Sequence, residues 1–197
     1  LTYLAQFSPA LADNARGDLT LGAAWSVDMR APQANGAAPS LAGNVRVFRE
    51  AGDAIVGGDT PVPLGLRKLE ASAEVVGSSL RVNLDFDGAR TGVAKLEANA
   101  QMLNGRVERD SPLRMTANAD IPSIAWLASL AGQPGLELDG ALRLAMTGSG
   151  TIGTPSLNGN LDGDKLAVRW AEQGVRLQNG ELRAQLGGDQ LRVERLT

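Results

Sequence analysis

Gly148, Gly150 and Gly153 stand in the spacing G-x-G-x-x-G directly after a strand-like run, the pattern with which dinucleotide-binding folds cradle a pyrophosphate. That chemistry requires the glycine turn to open a helix, because the free N–H groups of the helix N-terminus hold the phosphates. Here the glycines lead into Thr154-Pro155-Ser156-Leu157-Asn158-Gly159, which is turn chemistry, and no amphipathic helix follows. Asp164 and Glu172, the carboxylates further on, therefore have no strand-helix unit to set them beside a ribose. The spacing does not read as a nucleotide site, and the glycines need another role.

The other residues able to do chemistry are carboxylates. Asp85 with Asp87, and Asp162 with Asp164, are two apart, so each pair shares a strand face or flanks a turn, as a carboxylate enzyme would need. Alternation puts Asp85 and Asp87 on the solvent face, where charged residues ordinarily sit. Gly57-Gly58-Asp59 and Asp162-Gly163-Asp164 do not continue into the Gly-Asp repeat of calcium-binding coils, so no metal is assigned. The chain contains no histidine and no cysteine, which removes the usual nucleophile-base pairs and zinc sites. The expectation is a protein that is not an enzyme and uses no cofactor. A net charge of −3, with the 19 Lys and Arg scattered along the chain, gives no basic field for phosphates, so nucleic acid is not an expected partner. Absence of cysteine leaves the redox compartment open.

The elements that would carry these residues have a period of two. From Leu80 to Asp87 every even position is apolar and every odd one polar, a half-buried strand. Leu136, Leu138, Leu142, Leu144 and Met146 repeat this around Gly140, as do Leu19, Leu21, Ala23, Trp25, Val27 and Met29. Further strands read at about 40–49, 64–76, 91–103, 112–120, 164–170, 174–178, 181–186 and 190–196. Asp87-Gly88, Asn104-Gly105, Asn158-Gly159, Asp162-Gly163 and Asn179-Gly180 tolerate positive φ and are read as tight turns between them. The fold expected is all-β, an antiparallel meander. Ile121 to Ala131 breaks the pattern: Pro122 at a first turn, then Ile124, Leu127 and Leu130 at three-residue spacing, with Gly132 as a stop, predict a short helix near 122–131. It reads as a plug over a sheet end in preference to a binding role for Trp126. Residues 31–40 and the Gly57–Pro61 turn are read as loops.

The apolar face of such a sheet holds Leu, Val, Ala and Met, in a chain with only 4% aromatic residues to fill the space between two sheets. Either small aliphatic side chains meet across a curled sheet, or the curled face is an open trough. Interior glycines such as Gly22 and Gly140 suit both. The candidate lining of the trough begins with Leu80, Val82, Leu84 and Phe86, and continues with Leu136, Leu138, Leu142, Leu144 and Met146. Leu166, Val168, Val175 and Leu177 extend it, and Leu182, Leu191 and Val193 complete it.

The order of features from Ile121 onward resembles the TamB family, the large AsmA-like envelope proteins of Gram-negative bacteria. The matching elements are an apolar helix with a central Trp126, a strand ending in the Gly-rich turn from Thr147 to Pro155, a short strand through Leu157 to Leu161, then "GDKLAVRW" and the closing "GVRLQNGELRAQL". The match is strongest over residues 121–197 and general over 1–120. These are architectural motifs, so no active-site residue is carried over. The resemblance implies a β-taco, a sheet folded lengthwise around a hydrophobic groove, with Gly148, Gly150 and Gly153 bending and ending one of its strands. It implies a periplasmic segment of an inner-membrane-anchored protein that engages an outer-membrane Omp85-type barrel, TamA-like. Phospholipid acyl chains, and nascent β-strands of outer-membrane proteins, are the partners implied. On this view residues 1–197 are one repetitive segment cut from a longer chain, an expectation to which the start at Leu1 and the alternation running to Thr197 also lead. The rival expectation is a structural β-solenoid such as an adhesin stalk, with a closed core and no ligand. Against it, strand spacing varies and no constant repeat is present.

Overall fold

The computed structural model describes residues 15–30, 40–56, 61–131, 133–188 and 190–197. The expected loop at 31–39, the Gly57-Gly58-Asp59 stretch and the Gly132 stop lie outside them. Thirteen strands follow the chain: β1 (Ala15–Gly17), β2 (Thr20–Arg30), β3 (Ser40–Ala51), β4 (Ala54–Val56), β5 (Val62–Pro63), β6 (Leu66–Val76) and β7 (Ser79–Gly88). After them come β8 (Gly92–Gln101), β9 (Pro112–Ile121), β10 (Leu136–Thr151), β11 (Pro155–Trp170), β12 (Val175–Gly188) and β13 (Gln190–Leu196). Among the described residues one α-helix, α1 (Ala125–Ala131), joins β9 to β10, and a 3-10 turn at Ala171–Gln173 joins β11 to β12. Ten strands form a single antiparallel sheet in the order β13-β12-β11-β10-β9-β8-β7-β6-β3-β2, which is chain order apart from the excursion through β4 and β5. β2 and β13 are its two edges, so the sheet is curled but not closed. This is the all-β meander that the alternation predicts, and among the described residues every strand pair is antiparallel, unlike the stacked parallel coils of a solenoid.

The turn signals need correction. Asn104-Gly105 is a true tight turn, with φ of 50° and 75° between the bridged Leu103 and Arg106. Asp87-Gly88 only ends β7, and the turn itself is Ala89-Arg90-Thr91. Asn158-Gly159, Asp162-Gly163 and Asn179-Gly180 lie inside strands, so β11 and β12 are long and unbroken where two shorter strands each were expected. Asn158-Gly159 and Asp162-Gly163 have no positive φ and are paired with a strand on either side, while at Asn179 the positive φ serves a bulge in place of a turn. Asn179 has φ 53° and Lys165 φ 51°, each the extra residue where the register of β11 with its neighbour shifts. An added residue moves the apolar set to the other parity. Hence Leu157 and Leu161 precede the β11 bulge at odd positions, whereas Leu166 and Val168 follow it at even ones. Gly140, with φ 111°, faces the same irregularity from β10, in keeping with the bending role expected of it.

One end of the sheet is closed. β1, β4 and β5 make a separate three-stranded sheet, and α1 packs against both β10 and β4. The Ile124 N–H donates to the Gly140 carbonyl at 2.9 Å. Ala54, Val56, Leu66 and Ile124 are buried here, a small dry core at the end where a plug is expected. Asp53 ties it together: its carboxylate accepts the N–H groups of Ala54, Gly65 and Leu66, each at 2.9 Å. Burial alone would push this carboxyl up. The three N–H donors and the charge of Arg49 outweigh that effect and hold it below the usual carboxylate range. At the opposite end the β10–β11 turn leans on the loop before β9, with the Gly153 N–H donating to the Arg109 carbonyl at 2.7 Å and the Ile152 N–H to Ser111 at 3.0 Å.

Candidate functional site

Strand register decides which side chains share a face, and in this sheet it sorts them almost completely. From β7 across to β12, Phe86 stands opposite Ala94, Ala94 opposite Ala119, Ala119 opposite Leu144, Leu144 opposite Leu161, and Leu161 opposite Ala184. Val193 on β13 completes that row. The next row runs through Leu84, Leu96, Ala117 and Met146 to Leu186 and Leu191. A third carries Trp25, Val45, Ala73, Val82, Ala98 and Met115 from the β2 edge inward. Leu80 lies opposite Ala100, and Leu142 is joined through Gly163 to Leu182. Beyond the bulges the same face continues with Leu138, Val168 and Leu177, then Leu136, Trp170 and Val175, with Leu166 opposite Gly180. All sixteen predicted lining residues therefore fall on one face.

That face is half open. Of the sixteen, Leu166 is buried; Val175, Leu191 and Val193 are exposed near the β13 edge; the others are half-buried. In a dry core these positions would be fully enclosed, since close-packed interiors leave no such surface. The glycines of the face are filled by their neighbours. A Cβ at Gly148 would lie 2.5 Å from Met115 Cγ, and one at Gly163 would lie 2.8 Å from Leu166 Cδ1. Gly148 is thus a packing position inside β10 rather than a bend. Gly150, with φ 104°, and Gly153 are the pair that ends the strand and makes the turn, and β11, not a helix, follows them.

The opposite face is ionic. Arg46 forks onto Glu70 through Nε and Nη2 at 2.8 and 3.0 Å and lies 4.9 Å from the centre of the Phe48 ring. Hydrogen bonding from Arg46 holds the Glu70 carboxyl below its ordinary range. Asp85 accepts from Lys68 at 3.0 Å, and Asp87 from Arg67 Nε at 3.0 Å, so the first acid pair is spent on surface ion pairs. Asp162 stands opposite Arg143 and Arg183. Neither acid pair has the isolated, enclosed setting that acid-base catalysis requires.

Sequence reasoning missed several members of the apolar face: Leu96, Leu113, Met115, Leu161 and Leu186, together with Trp25, Val45 and Val47. The signal was present, because each sits on the apolar parity of its strand. Comparison of the chain with family models, with curated proteins and with solved structures returns no match.

Proposed function

We propose that this chain is a non-enzymatic scaffold segment whose curled sheet offers phospholipid acyl chains an apolar path, as a TamB-like protein linking inner and outer membranes would. The observation that carries the reading is the set of unbroken, charge-free rows on a single half-open face. Each methylene kept out of water is favoured by about 0.8 kcal/mol, so an acyl tail of about fifteen carbons would face roughly 12 kcal/mol crossing water unprotected. A continuous apolar face removes most of that barrier. In this reading the segment is periplasmic, belongs to an inner-membrane-anchored chain and works with an Omp85-type barrel. Nascent β-strands of outer-membrane proteins are the second partner in this reading, added to an edge of the sheet where no other strand is bound. The test is photo-crosslinking in cells from position 144, at the middle of its row, with position 143 on the opposite face as control. Lipid captured from 144 and not from 143 is the expected result. Capture of protein alone from 144 overturns the conduit and leaves a closed structural stalk.

A further inference from the structure

We propose that the outer edge of β2 is a docking surface for a second copy of this chain, joined strand to strand about a two-fold axis through Trp25. β2 pairs with β3 on one side, and among the described residues nothing pairs with its other side. The described residues that lead into β2, Ala15–Gly17, pair with β4 at the closed end and not with that edge. Trp25 is 72% exposed and Val27 62%, whereas Ala73 and Val82, in the same row as Trp25 on inner strands, are half-buried. An unpaired edge that also displays a tryptophan is a template for another strand.

The sequence of β2 selects the partner. Antiparallel pairing of the strand with itself, with Trp25 opposite Trp25, sets Ala23 opposite Val27 on the apolar face. On the polar face it sets Ala24 opposite Ser26 and Gly22 opposite Asp28. The one charged residue between Leu21 and Asp28 therefore stands opposite a glycine, over which the Phe48 and Glu50 side chains of β3 lean, and the backbone pairs along nearly the whole strand. Such an isologous contact closes as a dimer and carries the apolar rows from one copy into the next. The other edge fails the same test. Centred on Val193, a β13 pair sets Leu191 opposite Arg195; centred on Arg192, it sets two guanidinium groups against each other. β13 also carries an extra residue, Glu194, within its pairing to β12, a device that turns an edge away from pairing, whereas the register shift of β2 falls at its start, between Thr20 and Leu21, outside the self-paired stretch.

The experiment is sedimentation of the whole chain over a dilution series, with Trp25→Lys alongside. The expected result is a concentration-dependent dimer, weakened about tenfold or more by Trp25→Lys, which opposes like charges at the axis and removes the buried ring, with an unchanged melting temperature at dilutions where both chains are monomeric. Because the chain has no cysteine, introduced ones report register. An equal mixture of Ala24→Cys and Ser26→Cys chains is expected to crosslink with a short bis-maleimide faster than either alone. A chain that stays monomeric throughout, a Trp25→Lys dimer of undiminished affinity, or crosslinking through Gln190→Cys on β13 in place of the β2 pair overturns the proposal. If Trp25→Lys lowers the melting temperature, the cysteine pairs decide. The outcome is independent of what the apolar face carries.

Discussion

Asp53 shows how one side chain sets the stability of a whole corner. Its carboxylate accepts three backbone N–H groups, from Ala54 beside it and from Gly65 and Leu66 at the start of β6, and no other side chain among the described residues accepts so many. Hydrogen bonds to a charged acceptor contribute about 1.5–3 kcal/mol each at most, and they share one carboxylate, so Asp53→Ala is expected to destabilise the chain by about 2–4 kcal/mol. Thermal and urea unfolding measure this. The pH dependence has a definite sign. A carboxyl whose folded pKa lies below its unfolded value contributes fully above the unfolded value, about 3.9, and loses that contribution as pH falls through the folded one. The wild-type advantage over Asp53→Asn is therefore expected to be constant at neutral pH and to shrink below about pH 4. An advantage that grew on acidification would contradict the assignment.

At the scale of elements, the bulges place the long strands β10, β11 and β12. Gly140 holds φ 111°, and a Cβ there would lie 2.8 Å from the Leu166 Cα and from the Lys165 carbonyl oxygen, both backbone atoms that have no room to yield. Gly140→Ala is expected to cost about 2 kcal/mol or more. Gly187→Ala, on β12 with nothing within 4 Å, is expected to be neutral within about 0.5 kcal/mol. Lys165 sits at φ 51° without being glycine, so Lys165→Gly is expected to stabilise by up to about 1 kcal/mol. Chemical denaturation of the three variants ranks them. If Lys165→Gly were as damaging as Gly140→Ala, the bulge would owe its geometry to the lysine side chain and not to the backbone.

For the molecule as a whole, the proposed conduit depends on one face staying free of charge. Leu144 lies mid-row between Ala119 and Leu161, whose small and apolar side chains offer no partner to a guanidinium. Leu144→Arg would draw in water or leave a charge poorly solvated, at a cost of several kcal/mol to anything apolar passing over it. Arg143 points the other way, in an exposed pair with Asp120 at 3.6 Å, and such pairs are worth little. On the proposed conduit, Leu144→Arg is expected to compromise the outer-membrane barrier in cells that carry this protein, and Arg143→Leu is expected to be tolerated. Thermal melting of both variants separates a blocked path from a lost fold. A folded and fully active Leu144→Arg protein would leave the conduit without support.

Sequence alone determined the long strands with unbroken alternation, because each exposes one face and buries the other, and a period of two in Leu80 to Asp87 or Leu136 to Met146 has no other physical source. Parity along a strand also placed the sixteen expected lining residues on one face, although it could not locate the bulges at which that parity changes. The helix was legible from Pro122 and the spacing of Ile124, Leu127 and Leu130, although it begins only at Ala125. What the tertiary structure decided was the use of positive φ. Asn-Gly at 104–105 closes a hairpin, whereas Asn-Gly at 179–180 sits beside a bulge inside a long strand, and nothing within the dipeptide distinguishes them: the choice rests on whether a neighbouring strand is there to pair on through. The same holds for openness. The residues of the apolar face are those a closed core would use, and only the pairing of β2 and β13 on one side each leaves that face half exposed.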